Sequence, residues 1–132
     1  MAAIYVDTSA LGRALLGEPE TEAIRGFLAD YEAWWSSEVL VIELRRLGAR
    51  EGLEAPAEEM LESFRLVPID SASVERASRL APTAVRSLDA IHLEAAIQLH
   101  ERDEINGVVT YDRQLQAGCN HHGLSVHAPA IS

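Results

Sequence analysis

Four acidic residues stand at positions where a fold could turn charge into chemistry. Asp7 follows the short apolar run Ile4-Tyr-Val6, and Asp112 follows Gly107-Val-Val-Thr110 and Tyr111. Glu43 lies within an apolar helical stripe, three residues after Leu40 and close to Leu44 and Leu47. Asp89 falls in the first turn of a helical pattern and shares the face of Leu93 and Ala96. If the four converge, each ionised pair within about 5 Å repels by a few kcal/mol at an effective dielectric near 20. Such a cluster must bind protons or hold a divalent cation. Oxygen ligands without a thiolate suit Mg²⁺ or Mn²⁺ rather than zinc. Each acid also has a simpler reading. Asp7 or Thr8 can N-cap the next helix, Glu43 can reach water from the edge of its stripe, and Asp89 can complement a helix dipole for about 0.3–1 kcal/mol. The residue types alone leave both readings open.

The elements that must position these acids follow from periodicity. Ile4-Tyr-Val6 is uncharged and β-prone, which predicts a strand buried on both faces, with Asp7 at its carboxyl end. A helix is expected over Thr8–Leu16, stopped by Gly17 and Pro19, and a second over Glu20–Ala33 with Ile24, Phe27, Leu28 and Tyr31 inward. Trp34 and Trp35 form a brief strand, and Ser36 or Ser37 caps a helix over Ser37–Glu51 that Gly52 ends. Pro56 opens a fourth helix, Leu66–Ile69 is a strand, and Asp70 or Ser71 starts a helix broken by Pro82. A longer helix spans Ser87–Glu101. Gly107–Thr110 is a strand, a short helical turn ends at Gly118, and Leu124–His127 is a final strand. The order β-α-α-β-α-α-β-α-α-β-α-β, without hairpin spacings, predicts one α/β domain over residues 1–132. Its sheet is mostly parallel, with four or five strands and helices on both faces.

Composition narrows the functions. Hydrophobic residues make up 48% of 132 residues, enough for a real core. The net charge of −10 disfavours broad non-specific binding to nucleic acid. All 11 bases are arginine, so lysine-dependent chemistry, from a phosphate-binding P-loop to a Schiff base, is excluded. One cysteine, Cys119, excludes an intrachain disulfide and suggests a reducing compartment. No run approaches the roughly 20 apolar residues of a membrane span. A cytoplasmic protein is the expectation.

Four stretches together resemble the PIN-domain proteins, particularly VapC-type toxin ribonucleases. Val6-Asp-Thr-Ser-Ala-Leu11 looks like that family's opening motif and Val41-Ile-Glu-Leu-Arg-Arg46 like its glutamate helix. Ser87-Leu-Asp-Ala-Ile-His-Leu93 resembles its central aspartate motif, and Thr110-Tyr-Asp-Arg-Gln-Leu115 its fourth-acid motif. The match runs nearly the whole chain in the family's order. It implies an endoribonuclease, the toxin of a type II toxin–antitoxin pair, with Asp7, Glu43, Asp89 and Asp112 holding Mg²⁺ or Mn²⁺. Thr110 matches the supporting hydroxyl, with Thr8 and Ser9 flanking the site. Arg13, Arg45, Arg46, Arg86 and Arg113 are candidates for steering RNA phosphates, although each could be a solvated surface arginine. The resemblance also implies a VapB-type antitoxin, which supplies a basic side chain to the acidic site, and a toxin homodimer.

Rival readings fare less well. An aspartate-type phosphatase wants a second aspartate two residues after Asp7, where Ser9 stands, and a receiver domain wants a lysine. A catalytically silent PIN-like module that only binds a partner or metal is the surviving alternative. Cys119, His121 and His122 fit no standard zinc spacing and read as a solvated turn. His92 and His100 read as helix-surface or packed histidines, and Trp34 and Trp35 as core and edge residues.

Overall fold

In the computed structural model, which describes residues 2–130, the uncharged N-terminal run becomes the middle strand of a parallel sheet. β1 (Ala3–Val6) lies between β2 (Ala33–Ser37) and β4 (Val108–Val109), with β3 (Arg65–Val67) outside β2 and β5 (Val126–His127) outside β4. Every pairing is parallel, and Ala3, Ile4 and Tyr5 stand opposite Ala33, Trp34 and Trp35. The helices between them are α1 (Thr8–Leu15), α2 (Thr21–Leu28), α3 (Val39–Glu51), α4 (Glu54–Leu61), α5 (Ser71–Ser78), α6 (Ser87–Glu101) and α7 (Arg113–His121). The expected order and class hold.

Alternation along β1 divides the core in two. Ile4 and Val6 face Leu11, Ile24, Leu28, Leu40, Leu44 and Leu61 of the first four helices. Ala3 and Tyr5 face Leu93, Ala96 and Leu99 of α6, and Leu115 and Cys119 of α7. All four residues of β1 are buried, as a strand covered on both sides requires. Asp7 continues the Tyr5 side and is thereby aimed toward α6.

Element boundaries depart from expectation where pairing or packing overrides local pattern. The second helix stops at Leu28 instead of Ala33, because Ala33 is needed opposite Ala3, and the Trp34 indole donates to the Leu28 carbonyl at 2.9 Å. Ser36 and Ser37 belong to β2; Ser37 Oγ still accepts from Val39 N at 3.2 Å. The fourth helix starts at Glu54, with Pro56 inside its first turn, where a missing N–H does no harm. The third strand is Arg65–Val67, and Ile69 N donates to Glu38 Oε1 instead of joining the sheet. The seventh helix passes through Gly118 to His121 and is followed by Gly123 at φ 76°. Gly118 serves close packing: a Cβ there would lie 2.9 Å from Leu93 Cδ2.

Candidate functional site

From β1 the connections run outward through β2 and β3, then cross back to β4 and β5 on the other side. An open parallel sheet leaves a ligand-sized crevice at the carboxyl ends of its strands where this reversal occurs, here between β1 and β4. Asp7 follows β1 directly, and Asp112 lies three residues past β4. α3 brings Glu43 and α6 brings Asp89 to the same crevice. All four line one open cavity of about 460 Å³, together with Thr8, Ser9 and Arg13. A cavity of equal volume between α1, α2 and α4 is lined by Leu15, Leu28, Trp34, Met60 and Phe64, with Glu59 its one acid. Converging carboxylates, rather than size, distinguish the site.

Asp7 is both a cap and a buried acid. It is 3% exposed. Its Oδ2 accepts from Thr110 Oγ1 at 2.9 Å and from Ser9 N at 3.4 Å. Thr110 Oγ1 also accepts from Asp112 N at 3.1 Å, so one hydroxyl fixes the strand ends that carry two of the acids. Ser9 Oγ accepts from Tyr111 N at 2.9 Å and contacts Thr110 Oγ1 at 3.3 Å, tying the start of α1 to the exit of β4. Asp112 caps α7 through Oδ1, which accepts from Leu115 N at 3.0 Å.

Glu43 is half-buried, and its Oε1 accepts from Thr8 Oγ1 at 2.6 Å and from His92 Nε2 at 3.0 Å. Burial pushes its carboxyl upward, but the bonds from His92 and Thr8 outweigh that and leave it below the usual glutamate value. Asp89 lacks such donors. Burial first, then the negative charges of Asp112 and Asp7, raise its carboxyl to about 6. Burial is the larger cause, and the neighbouring carboxylates add to it. The same crowding, added to burial, raises the Tyr5 phenol well above its ordinary value and the Cys119 thiol to about 12, so Cys119 is an inert core group.

His92 is packed, one of the two readings its sequence position offered, but its reach to the acids was not foreseen. It is 1% exposed, and its Nε2 lies 3.3 Å from Asp7 Oδ1 as well as 3.0 Å from Glu43 Oε1. A signal was available: His92 follows Asp89 by three residues and therefore shares its helical face. His100 is exposed, as expected for a helix-surface histidine.

The donor set fits a hard divalent cation, since all four acids offer only oxygen. Among the described residues, no three His, Cys, Asp or Glu side chains are arranged so that they could hold a metal ion. The acids are instead held as two pairs. His92 takes Asp7 and Glu43, while Arg86 lies 3.1 Å from Asp112 Oδ2 and 3.8 Å from Asp89 Oδ2. The Arg86 side chain is 71% exposed.

The other arginines separate by position. Arg13 lines the cavity, pairs with Glu20 at 2.9 Å and stacks 4.4 Å from the Tyr111 ring centroid. Arg45 pairs with Glu58 on α4, away from the cavity. Arg46 and Arg113 are exposed and do not line it.

An all-parallel five-stranded α/β domain with acids gathered at its switch point defines a class, and the comparisons agree with it. The PIN domain family matches residues 4–119. The chain belongs to the PIN domain family, as a VapC-type member. It is 36% identical to Ribonuclease VapC47 of Mycobacterium tuberculosis (strain CDC 1551 / Oshkosh), over 96% of both chains. It is 32% identical to Ribonuclease VapC46 of Mycobacterium tuberculosis (strain ATCC 25618 / H37Rv), over 98% of this chain and 100% of the other. Its fold is similar to a chain of a toxin-antitoxin complex from Klebsiella pneumoniae, with TM-score 0.70, 21% identity and 98% of both chains covered.

Proposed function

We propose that the protein is a Mg²⁺- or Mn²⁺-dependent endoribonuclease and the toxin of a type II toxin–antitoxin pair. The observation that carries this reading is one cavity lined by Asp7, Glu43, Asp89 and Asp112, in which burial, then the charges of Asp112 and Asp7, raise the Asp89 carboxyl. Relatives named ribonuclease, aligned over nearly the whole chain, support RNA as the substrate class.

When bound, the cation supplies Lewis-acid stabilisation of charge developing on a phosphodiester and lowers the pKa of water. The chain's own residues do the rest. The four carboxylates would hold the cation. Thr110 holds Asp7 Oδ2 in place, and Thr8 does the same for Glu43 Oε1. Arg13, in the cavity lining, and Arg86, beside Asp112, would hold a phosphate against the general repulsion of a chain with net charge −10. That negative charge also suits a basic partner, here a VapB-type antitoxin whose cationic side chain enters the acidic site. A cytoplasmic homodimer completes the reading; among the described residues no helix is long and apolar enough to cross a membrane.

The test is cleavage of an RNA panel by protein freed of antitoxin, with Mg²⁺, Mn²⁺ or EDTA, beside Asp7→Ala and Asp89→Asn. Cation-dependent cutting lost in both variants is expected. Equal cutting by all three proteins would overturn the site, and no cutting of any RNA would favour a silent binding module.

A further inference from the structure

Beneath the acids lies a buried polar pair that no part of the proposed reaction uses. His92 projects from α6 onto β1 with 1% exposure, against Tyr5 with 0%. Tyr5 OH sits 2.7 Å from His92 Nδ1, and the two rings meet edge to face, with centroids 5.8 Å apart. The other ring nitrogen, Nε2, faces Glu43 Oε1 at 3.0 Å, Asp7 Oδ1 at 3.3 Å and Thr8 Oγ1 at 3.2 Å.

We propose that His92, oriented by Tyr5, is a positioning residue whose single Nε2–H fixes the Asp7 and Glu43 carboxylates for the cation. This rests on the reading of those two acids as cation ligands. The hydrogen-bond inventory assigns the proton. Ionised carboxylates only accept, and the one Thr8 hydroxyl proton is directed to Glu43 Oε1 at 2.6 Å. Nε2 must therefore carry hydrogen, which leaves it without a lone pair for a metal. Nδ1 is left to Tyr5 OH, 2.7 Å away. A buried tyrosine on the central strand thus holds the ring with Nε2 toward the acids.

The geometric consequence falls on the acids. One N–H shared by two carboxylates draws Asp7 Oδ1 and Glu43 Oε1 toward a common point. Asp7 Oδ2 is separately held by Thr110. Glu43 Oε2 receives no hydrogen bond among the described residues and is the oxygen left for an incoming ligand. Because Tyr5 and Asp7 share one face of β1, while Asp89 and His92 share one face of α6, the strand and helix hold this geometry without a loop. Groups that orient ligands in this way typically contribute 10–100-fold to metal affinity.

The experiment measures Mn²⁺ binding by the intact, antitoxin-free chain, using the electron spin resonance signal of free Mn²⁺. It compares wild type, Tyr5→Phe, His92→Leu, His92→Gln and Asp7→Ala. Imidazole ¹⁵N shifts of the cation-free wild type give the tautomer. The expected result is an Nε2–H ring, with Mn²⁺ affinity about 10–100-fold weaker in Tyr5→Phe and His92→Leu. His92→Gln, whose amide N–H can replace Nε2–H, recovers most of that loss. At saturating Mn²⁺ the first two variants lower kcat for RNA and leave KM near wild type. An Nδ1–H ring, unchanged affinity in folded Tyr5→Phe, or a His92→Gln no better than His92→Leu would overturn the proposal. Asp7→Ala separates the two levels. If it abolishes Mn²⁺ binding while Tyr5→Phe and His92→Leu bind normally, only the positioning role fails. If wild type and Asp7→Ala bind alike, the cation site fails and the positioning role falls with it. Should His92→Leu not fold, Tyr5→Phe and the tautomer still decide.

Discussion

Replacing Asp89 by asparagine should make the cation-free protein more stable while weakening its hold on the cation. Asp89 is 17% exposed, and its carboxyl is raised from 3.8 to about 6 by burial, then by Asp112 and Asp7. The rise from 3.8 to about 6 corresponds to an upper figure of about 3 kcal/mol against the ionised form. Water at the open cavity mouth reduces this to about 1–2 kcal/mol at pH 7. Asparagine keeps the shape and removes the charge, so Asp89→Asn should gain that amount in EDTA, or about 3–8 °C in Tm for a domain of this size. The lost contact with Arg86 subtracts little, since it is 3.8 Å long and the arginine is exposed. The pH dependence has a definite sign. Between about pH 4 and 6 the folded protein holds a proton on Asp89 that the unfolded chain has released, so the contribution of Asp89 to wild-type stability falls as pH rises. The variant's advantage should therefore be nearly absent at pH 4 and complete above pH 6. Calorimetry in EDTA at pH 4, 5, 6 and 7 reads this directly, and added Mn²⁺ should reverse the ranking by stabilising wild type through binding. A variant no more stable than wild type at pH 7, or equally favoured at pH 4, would refute the view of Asp89 as a carboxylate crowded by its neighbours.

Three further outcomes follow from the same geometry. Thr110→Val removes the donor to Asp7 Oδ2 and the acceptor for Asp112 N. It should lose about 1–3 kcal/mol in urea unfolding and weaken Mn²⁺ binding at least tenfold, with Thr110→Ser near wild type in both. Gly118→Ala sets a methyl 2.9 Å from Leu93 Cδ2 and 3.1 Å from Val85 Cγ2. It should lose about 1–3 kcal/mol by overpacking, seen as a lower urea midpoint without a change in slope. Arg86→Gln removes the cation that competes for Asp112 and Asp89. Titration should show tighter Mn²⁺ binding, by a factor of about 2–10 for a solvent-exposed pair, while KM for RNA rises.

Much of this protein was legible from local pattern. The uncharged β1, the element order, the parallel class and the four acids placed at strand ends or on inward helix faces all follow from periodicities of 2 and 3.6 and from residue type. The strand-end position of Asp7 left its two readings in competition. The fold shows the cap, with Ser9 N and Thr110 Oγ1 both on Oδ2, and turns Oδ1 toward His92. Boundaries set by partners were not legible: Ala33 left its helix for a register opposite Ala3, and Gly118 stayed inside a helix because Leu93 lies against it.

By itself, the sequence determined which side chains could bear charge, which faces were apolar, and that the four acids would offer only oxygen atoms. Only the tertiary structure decided how the acids divide among partners, with Asp7 and Glu43 on His92 and Asp89 and Asp112 on Arg86. Those contacts join residues up to 85 positions apart, as with Asp7 and His92. Periodicity tells a side chain which way to face, whereas the strand order decides what it meets there.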